Sequence, residues 1–178
     1  MPAPTWVVGS GGLLGSWVTR ELRRRDVPVT TSVVPWDEPE QARTVLLADA
    51  DRFVRGAGGG PWRVAWCAGA GVNGTTSEAF AAENALLRDV LDGLAHAGGG
   101  SAERGTVFHA SSAGGVYAAA PGAPHSEYSP TAPLGLYGHA KLAAETVVTD
   151  FARETGATAV IGRFANLYGP GQNLAKPQ

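Results

Sequence analysis

Tyr137 and Lys141 stand four residues apart, so a helix through them sets a phenol and an ammonium on one face. The lysine charge favours the phenolate over the phenol, which equips Tyr137 to work as a general base near neutral pH. Upstream, Ser111-Ser112 closes an apolar run, and a hydroxyl at a strand end can hydrogen-bond a substrate oxygen. Near the N-terminus, Val7-Val8-Gly9-Ser10-Gly11-Gly12-Leu13-Leu14-Gly15 places glycines at Gly9, Gly12 and Gly15. Glycines so spaced between a strand and a helix let the backbone approach a pyrophosphate, while the helix aims free N–H groups and its positive dipole end at the charge. A dinucleotide held beside a serine, a tyrosine and a lysine suggests hydride chemistry.

For these groups to meet, the chain must bring strand ends and helix starts to one edge. Thr5 to Val8 is a β-branched apolar run stopped by glycine, the pattern of a buried parallel strand. Leu13 to Arg25 keeps Leu13, Leu14, Trp17, Val18 and Leu22 at helical spacing, with Arg20, Arg23, Arg24 and Arg25 gathered near its end as a solvated face that complements the dipole. Val27 to Val34 predicts a second strand stopped by Pro35, and Glu38 to Val54 a helix with Ala42, Val45, Leu46, Ala50 and Phe53 inward. Trp62 to Cys67 predicts a third strand, Ser77 to Ala97 a long helix, and Gly105 to Ala110 a fourth strand. Tyr137 to Thr155 predicts a helix and Thr158 to Phe164 a fifth strand. The alternation implies an α/β, Rossmann-like, doubly wound parallel sheet with helices on both faces, in a single domain over residues 1–178.

Bulk properties narrow the partners. A net charge of -2 gives no basic field for a nucleic acid or an anionic membrane, so specificity must come from a pocket for a small molecule. The single cysteine, Cys67, excludes an intrachain disulfide, and the N-terminus has no basic n-region, which together point to a cytoplasmic protein. His96, His125 and His139 share no metal spacing, so no metal is assigned. His109, beside the serines, reads as a core or strand-end histidine with one hydrogen bond, with a catalytic histidine as the other reading, and Cys67 as a small buried hydrophobe.

In order and spacing, several marks resemble the extended short-chain dehydrogenase/reductase superfamily, the NAD-dependent epimerase/dehydratase family, over nearly the whole chain. They are the Gly9/Gly12/Gly15 turn, Cys67-Ala68-Gly69-Ala70, Asn84, Ser111-Ser112-Ala113-Gly114-Gly115-Val116-Tyr117, Glu127 before Pro133, Tyr137-x-x-x-Lys141 and Arg163-Phe164-Ala165-Asn166-Leu167-Tyr168-Gly169-Pro170. The resemblance implies a sugar-nucleotide epimerase or oxidoreductase that uses NAD or NADP, with Tyr137 as base, Lys141 also on the nicotinamide ribose, and Ser112, with Ser111 beside it, as the catalytic hydroxyl. It implies that Gly9 to Gly15, with Ser10, Gly11, Gly12, Leu13 and Leu14, cradle the cofactor. Ala68, Gly69 and Phe164 would line it too, while Ser112 and Asn166 would face the sugar. A homodimer through the Tyr137–Lys141 helix, whose Leu142, Ala143, Val147, Val148 and Phe151 exceed what one sheet face needs, is a further expectation, burial against the absent C-terminal region being the other account of the same residues.

The chain departs from the family pattern in four places. Thr30-Thr31-Ser32-Val33 offers no carboxylate for the adenosine ribose, so NAD and NADP both stay open; Trp36 could cover the adenine or simply pack. The interval before Trp62 holds a single helix where the family has a further strand, which implies one strand lost. Ala113 and Gly114 stand where dehydratases carry an Asp-Glu pair, which disfavours elimination of water. The substrate-binding C-terminal region, roughly another hundred residues in the family, would be absent beyond Gln178. These departures motivate a second reading, a non-catalytic dinucleotide-binding or scaffold protein that keeps the fold.

Overall fold

The computed structural model describes residues 2–69 and 74–172; Ala70, one of the family marks, and the chain end to Gln178 lie outside them. Strands β1 (Thr5–Val8), β2 (Val29–Thr31), β3 (Trp62–Trp66), β4 (Gly105–Ser112) and β5 (Thr158–Phe164) form one sheet in the order β2-β1-β3-β4-β5. Every pair is parallel. Helix α1 (Leu13–Arg24) carries the chain from β1 out to β2, and α2 (Pro39–Gly56) carries it back across β1 to β3. Right-handed crossovers running in opposite directions place those two helices on opposite faces, which is what makes the sheet doubly wound. Helices α3 (Ser77–Gly98) and α5 (Gly135–Thr155) pack beside α2 in one layer. Between β4 and α5 lies a short helix, α4 (Ala113–Val116), and a 3-10 turn over Gly99–Arg104 precedes β4.

The core lies between the sheet and the α2/α3/α5 layer. Trp6, Trp62, Trp66, Val64 and Val107 point into it from the strands, and Leu46, Leu87, Leu91, Leu94 and Val148 meet them from the helices. Phe53 of α2 binds the tryptophans together, its ring centroid 5.9 Å from Trp6 and 6.5 Å, edge on, from Trp62. Gly105 has no alternative here, because a Cβ would fall on the Trp62 ring. β4 alternates strictly: Gly105, Val107, His109 and Ser111 are buried, whereas Thr106, Phe108, Ala110 and Ser112 are half-buried on the other face. That period of two decides below which serine is available.

The five strands and four long helices expected from hydrophobic patterning are all present. Among the described residues, the interval from β2 to β3 holds one helix and no strand, as expected from its single helical period. β2 is shorter than the β-branched run Val27 to Val34, because it sits at the sheet edge and pairs only with β1. Val147, Val148 and Phe151 of α5 belong to the core of this chain, while Leu142 is half-buried and Ala143 exposed.

Candidate active site

All the chemistry-bearing residues gather at the carboxyl edge of the sheet, where parallel strands hand over to helices. The glycine turn comes first. Gly9 has φ +85°, and a Cβ there would lie 2.6 Å from the Ala68 amide nitrogen, so only glycine lets β1 leave the sheet beside the end of β3. A Cβ on Gly15 would fall on the Gly9 carbonyl. Gly12 N–H donates to the Gly9 carbonyl at 3.1 Å, which closes the turn. Gly11 and Gly12 are exposed, and a Cβ on Gly11 would meet nothing within 4 Å. α1 starts at Gly12 with no side-chain cap and no acid in its first turn, so its leading N–H groups and dipole stay available to an anion. Ser10, Leu13 and Leu14 are half-buried around this opening.

The Tyr137/Lys141 pair is linked to this turn through Ala68 and Gly69. The Lys141 ammonium lies 3.2 Å from the point a Cβ on Gly69 would occupy, and the Glu83 carboxylate 2.9 Å from it. Gly69 follows Ala68, the residue that backs Gly9, so a continuous run of close contacts joins the glycine turn to α5. On α5 itself the ammonium stands 5.7 Å from the centre of the Tyr137 ring. Phe80 of α3 packs on that ring at 6.2 Å, and the Asn84 side-chain amide donates to the Ala140 carbonyl at 3.1 Å, pinning α3 to α5 between the two residues.

Two glycines bring Tyr137 up to the end of β4. A Cβ on Gly138 would fall on the Gly115 carbonyl, and one on Gly115 would lie 3.1 Å from the Tyr137 ring. α5 therefore rides directly on the α4 turn that follows Ser112. The Ser112 hydroxyl oxygen caps that turn by accepting from Gly115 N–H at 3.1 Å, which leaves its own proton free to donate. Ser111, one residue earlier, faces the opposite way and is buried, its hydroxyl donating to Glu145 at 2.5 Å.

Glu145 is the residue that spacing did not announce. It stands one turn beyond Lys141, 5% exposed, and accepts from Arg163 of β5 through Nε at 3.0 Å and Nη2 at 2.6 Å. Arg163 also donates through Nη1 to the Tyr117 hydroxyl, which in turn donates to the Ser126 carbonyl at 2.9 Å. This network ties α5, β5 and the segment after α4 into one block, and an open cleft of about 760 Å³ lies against it, lined by Ala113, Gly114, Tyr117, His125, Glu127 and Arg163 among others. His109 is buried as the sequence reading expected of a core histidine, 2% exposed, but the one hydrogen bond expected of it is missing: neither ring nitrogen has a partner among the described residues. Burial, and then the charge of Lys141, push its imidazole down to about 4, with Glu145 pulling weakly the other way.

Phe164 ends β5 opposite Ser112 in the strand register, its ring edge on to Phe108 at 6.2 Å. Asn166 is exposed two residues on. The segment beyond it crosses back to the first half of the chain, where Trp17 of α1 donates to the Pro170 carbonyl at 3.0 Å. At the β2 edge of the sheet, Ser32 just past β2 accepts from the Trp6 indole at 2.9 Å, and Trp36 is exposed. Among the described residues no group of three His, Cys, Asp or Glu could hold a metal, and no helix is long and apolar enough to cross a membrane.

A doubly wound parallel sheet with an uncapped glycine turn after its first strand, and a tyrosine and lysine at its carboxyl edge, defines a dinucleotide-fold protein. The family described as NAD dependent epimerase/dehydratase matches residues 5–177, and the chain belongs to that family. Among solved structures, UDP-N-acetylglucosamine 4-epimerase from Bacillus cereus superposes with a TM-score of 0.74 at 19% identity, over 97% of this chain and 64% of its own. UDP-glucose 4-epimerase from Thermus thermophilus, in complex with NAD, gives 0.74 at 20% identity, over 96% of this chain and 57% of its own. A UDP-galactose 4-epimerase gives 0.69 at 27% identity, over 94% of this chain and 57% of its own. The chain thus spans roughly half to two-thirds of the length of the structures it resembles. Comparison with curated protein sequences gives no match.

Proposed function

We propose that the chain is the NAD(P)-binding part of an epimerase or oxidoreductase acting on a nucleotide sugar. The observation that carries this reading is the Lys141 ammonium lying against Gly69, because it links the Tyr137/Lys141 pair to the glycine turn. The residues fit a dinucleotide. The Gly9 to Gly15 turn, open at Gly11 and Gly12, would take the pyrophosphate on the α1 N-terminus. Ala68, Gly69 and Lys141 would hold the nicotinamide ribose, with Phe164 near the ring. When bound, NAD(P) supplies the hydride acceptor.

The rest is done by this chain. Tyr137 takes the proton from the sugar carbinol, with the Lys141 ammonium 5.7 Å from its ring centre. Ser112, already an acceptor from Gly115, donates its own proton to the sugar oxygen and fixes its distance from Tyr137. Asn166, exposed after β5, would meet the sugar. With Ala113 and Gly114 after the serine, no acid stands there to protonate a leaving hydroxyl, so epimerisation or simple redox chemistry is favoured over dehydration.

Calorimetric titration of the chain with NAD and with NADP tests the cofactor site, and Gly11→Asp gives the control. That side chain enters open space, so the fold should persist while a carboxylate meets the pyrophosphate, weakening binding at least about tenfold. Equal binding by wild type and Gly11→Asp would overturn the placement. A second reading, binding without turnover, is favoured by one observation: Ser32 already accepts from Trp6, and the end of β2 offers no carboxylate to a ribose. Tight binding with no Tyr137-dependent conversion of any UDP-hexose would support it.

A further inference from the structure

On the inner face of the sheet, directly under Lys141, His109 is 2% exposed and both its ring nitrogens lack a hydrogen-bond partner among the described residues. A neutral imidazole carries one donor and one acceptor, and interior polar groups are as a rule satisfied by protein or by ordered water. Beside the ring, between β3, β4, α3 and α5, lies a partly open pocket of about 10 Å³ whose polar lining is His109, Lys141, Asn84, Glu83 and the Trp66 indole. A space of that size takes one water, and buried waters settle where about three polar groups converge.

We propose that this cavity is a built water site, and that the water it holds, bonded to His109 and Lys141, positions the Lys141 ammonium against Tyr137. The ammonium donates N–H to the water oxygen, and the water donates O–H to the unprotonated ring nitrogen of His109. For this His109 must stay neutral, and its surroundings keep it so: burial and the facing Lys141 charge push it down to about 4. Of the carboxylates nearby, Glu83 borders the cavity, while Glu145 is committed to Ser111 and Arg163. His109 is thus a positioning residue, acting through Lys141. Its catalytic meaning rests on the function proposed above, but the water site itself does not.

The chain has four histidines and two lysines, so selective labelling isolates each signal. With 15N-histidine and 13Cε-lysine in the whole chain at neutral pH, we expect a water-to-His109 Overhauser contact, a single ring tautomer, and a Lys141 resonance displaced from that of a free side chain. Lys141→Met should remove the water contact. His109→Leu should shift the Lys141 resonance away from its wild-type position, and His109→Gln, which keeps an acceptor, should restore it. Absence of the water contact in wild type, or a Lys141 resonance unmoved in His109→Leu, overturns the proposal. NAD titration of the same samples separates the two ideas: a wild-type chain that shows the water contact but binds neither dinucleotide refutes the functional reading and leaves the water site standing.

Discussion

Lowering the pH from about 7.5 to about 5 should cost the folded chain about 2 kcal/mol through His109 alone. Unfolded, its imidazole binds a proton at the ordinary value of 6.5; folded, burial pushes it down to about 4. A folded value below the unfolded one means that the unfolded chain takes up the proton first as pH falls. The contribution is therefore intact above 6.5 and disappears through the window between 6.5 and about 4. Across the whole window it amounts to about 3 kcal/mol, at roughly 1.4 kcal/mol per pH unit, and about two-thirds of that is gone by about pH 5. A domain with the usual total of about 5–15 kcal/mol would register the change clearly. Urea unfolding followed by tryptophan fluorescence at a series of pH values, on wild type and His109→Leu, gives the test. The other histidines and the carboxylates titrate in both proteins, so the difference between their slopes isolates His109. Should leucine disturb the core, His109→Gln provides the same comparison. Parallel pH profiles in wild type and both variants would refute the reasoning, because they would mean that the ring is as easily protonated folded as unfolded.

Three further outcomes follow from the packing. Glu145→Ala removes the acceptor for both Ser111 and the Arg163 guanidinium, and should lower unfolding free energy by about 3 kcal/mol in denaturant titration; a loss under about 1 kcal/mol would mean that solvent takes over the acceptor role. Gly15→Ala drives a methyl onto the Gly9 carbonyl, and should cost at least about 2 kcal/mol and weaken dinucleotide binding together, measured by thermal melting and calorimetry on one sample. Burial pushes the Cys67 thiol from 9.0 up to about 11, so at neutral pH it should alkylate with iodoacetamide about a hundredfold more slowly than free cysteine, and unfolding in urea should abolish the protection.

Much of the framework was legible because parallel strands and their helices are written in local patterns. Gly9 and Gly15 mark the turn by spacing, and the Tyr137/Lys141 relation needs only the helical repeat. The choice between Ser111 and Ser112 was legible too, had the alternation been followed: Val107, His109 and Ser111 share a face, so Ser112 must turn to the other. What the sequence concealed is long range. Glu145 looks like any glutamate on a helix until Ser111, 34 residues earlier, and Arg163, 18 later, are brought to it. The four residues of α4 carry two glycines and so lack helical propensity; they form because Ser112 caps them and α5 presses on them. The orphaned nitrogens of His109 are likewise a property of its surroundings, not of its neighbours in sequence.

The contact of Gly138 with Gly115 sets the separation of Tyr137 from Ser112 by main chain against main chain. No side chain stands between the two main-chain segments at that contact, so none there can be exchanged for a slightly longer or shorter one. The seat of α5 on the α4 turn is consequently quantised: it is kept while both glycines remain, and lost in a single step when either acquires a side chain. Surface and core substitutions elsewhere can tune stability without shifting that seat, so the backbone spacing of Tyr137 and Ser112 is insulated from changes made in the rest of the chain.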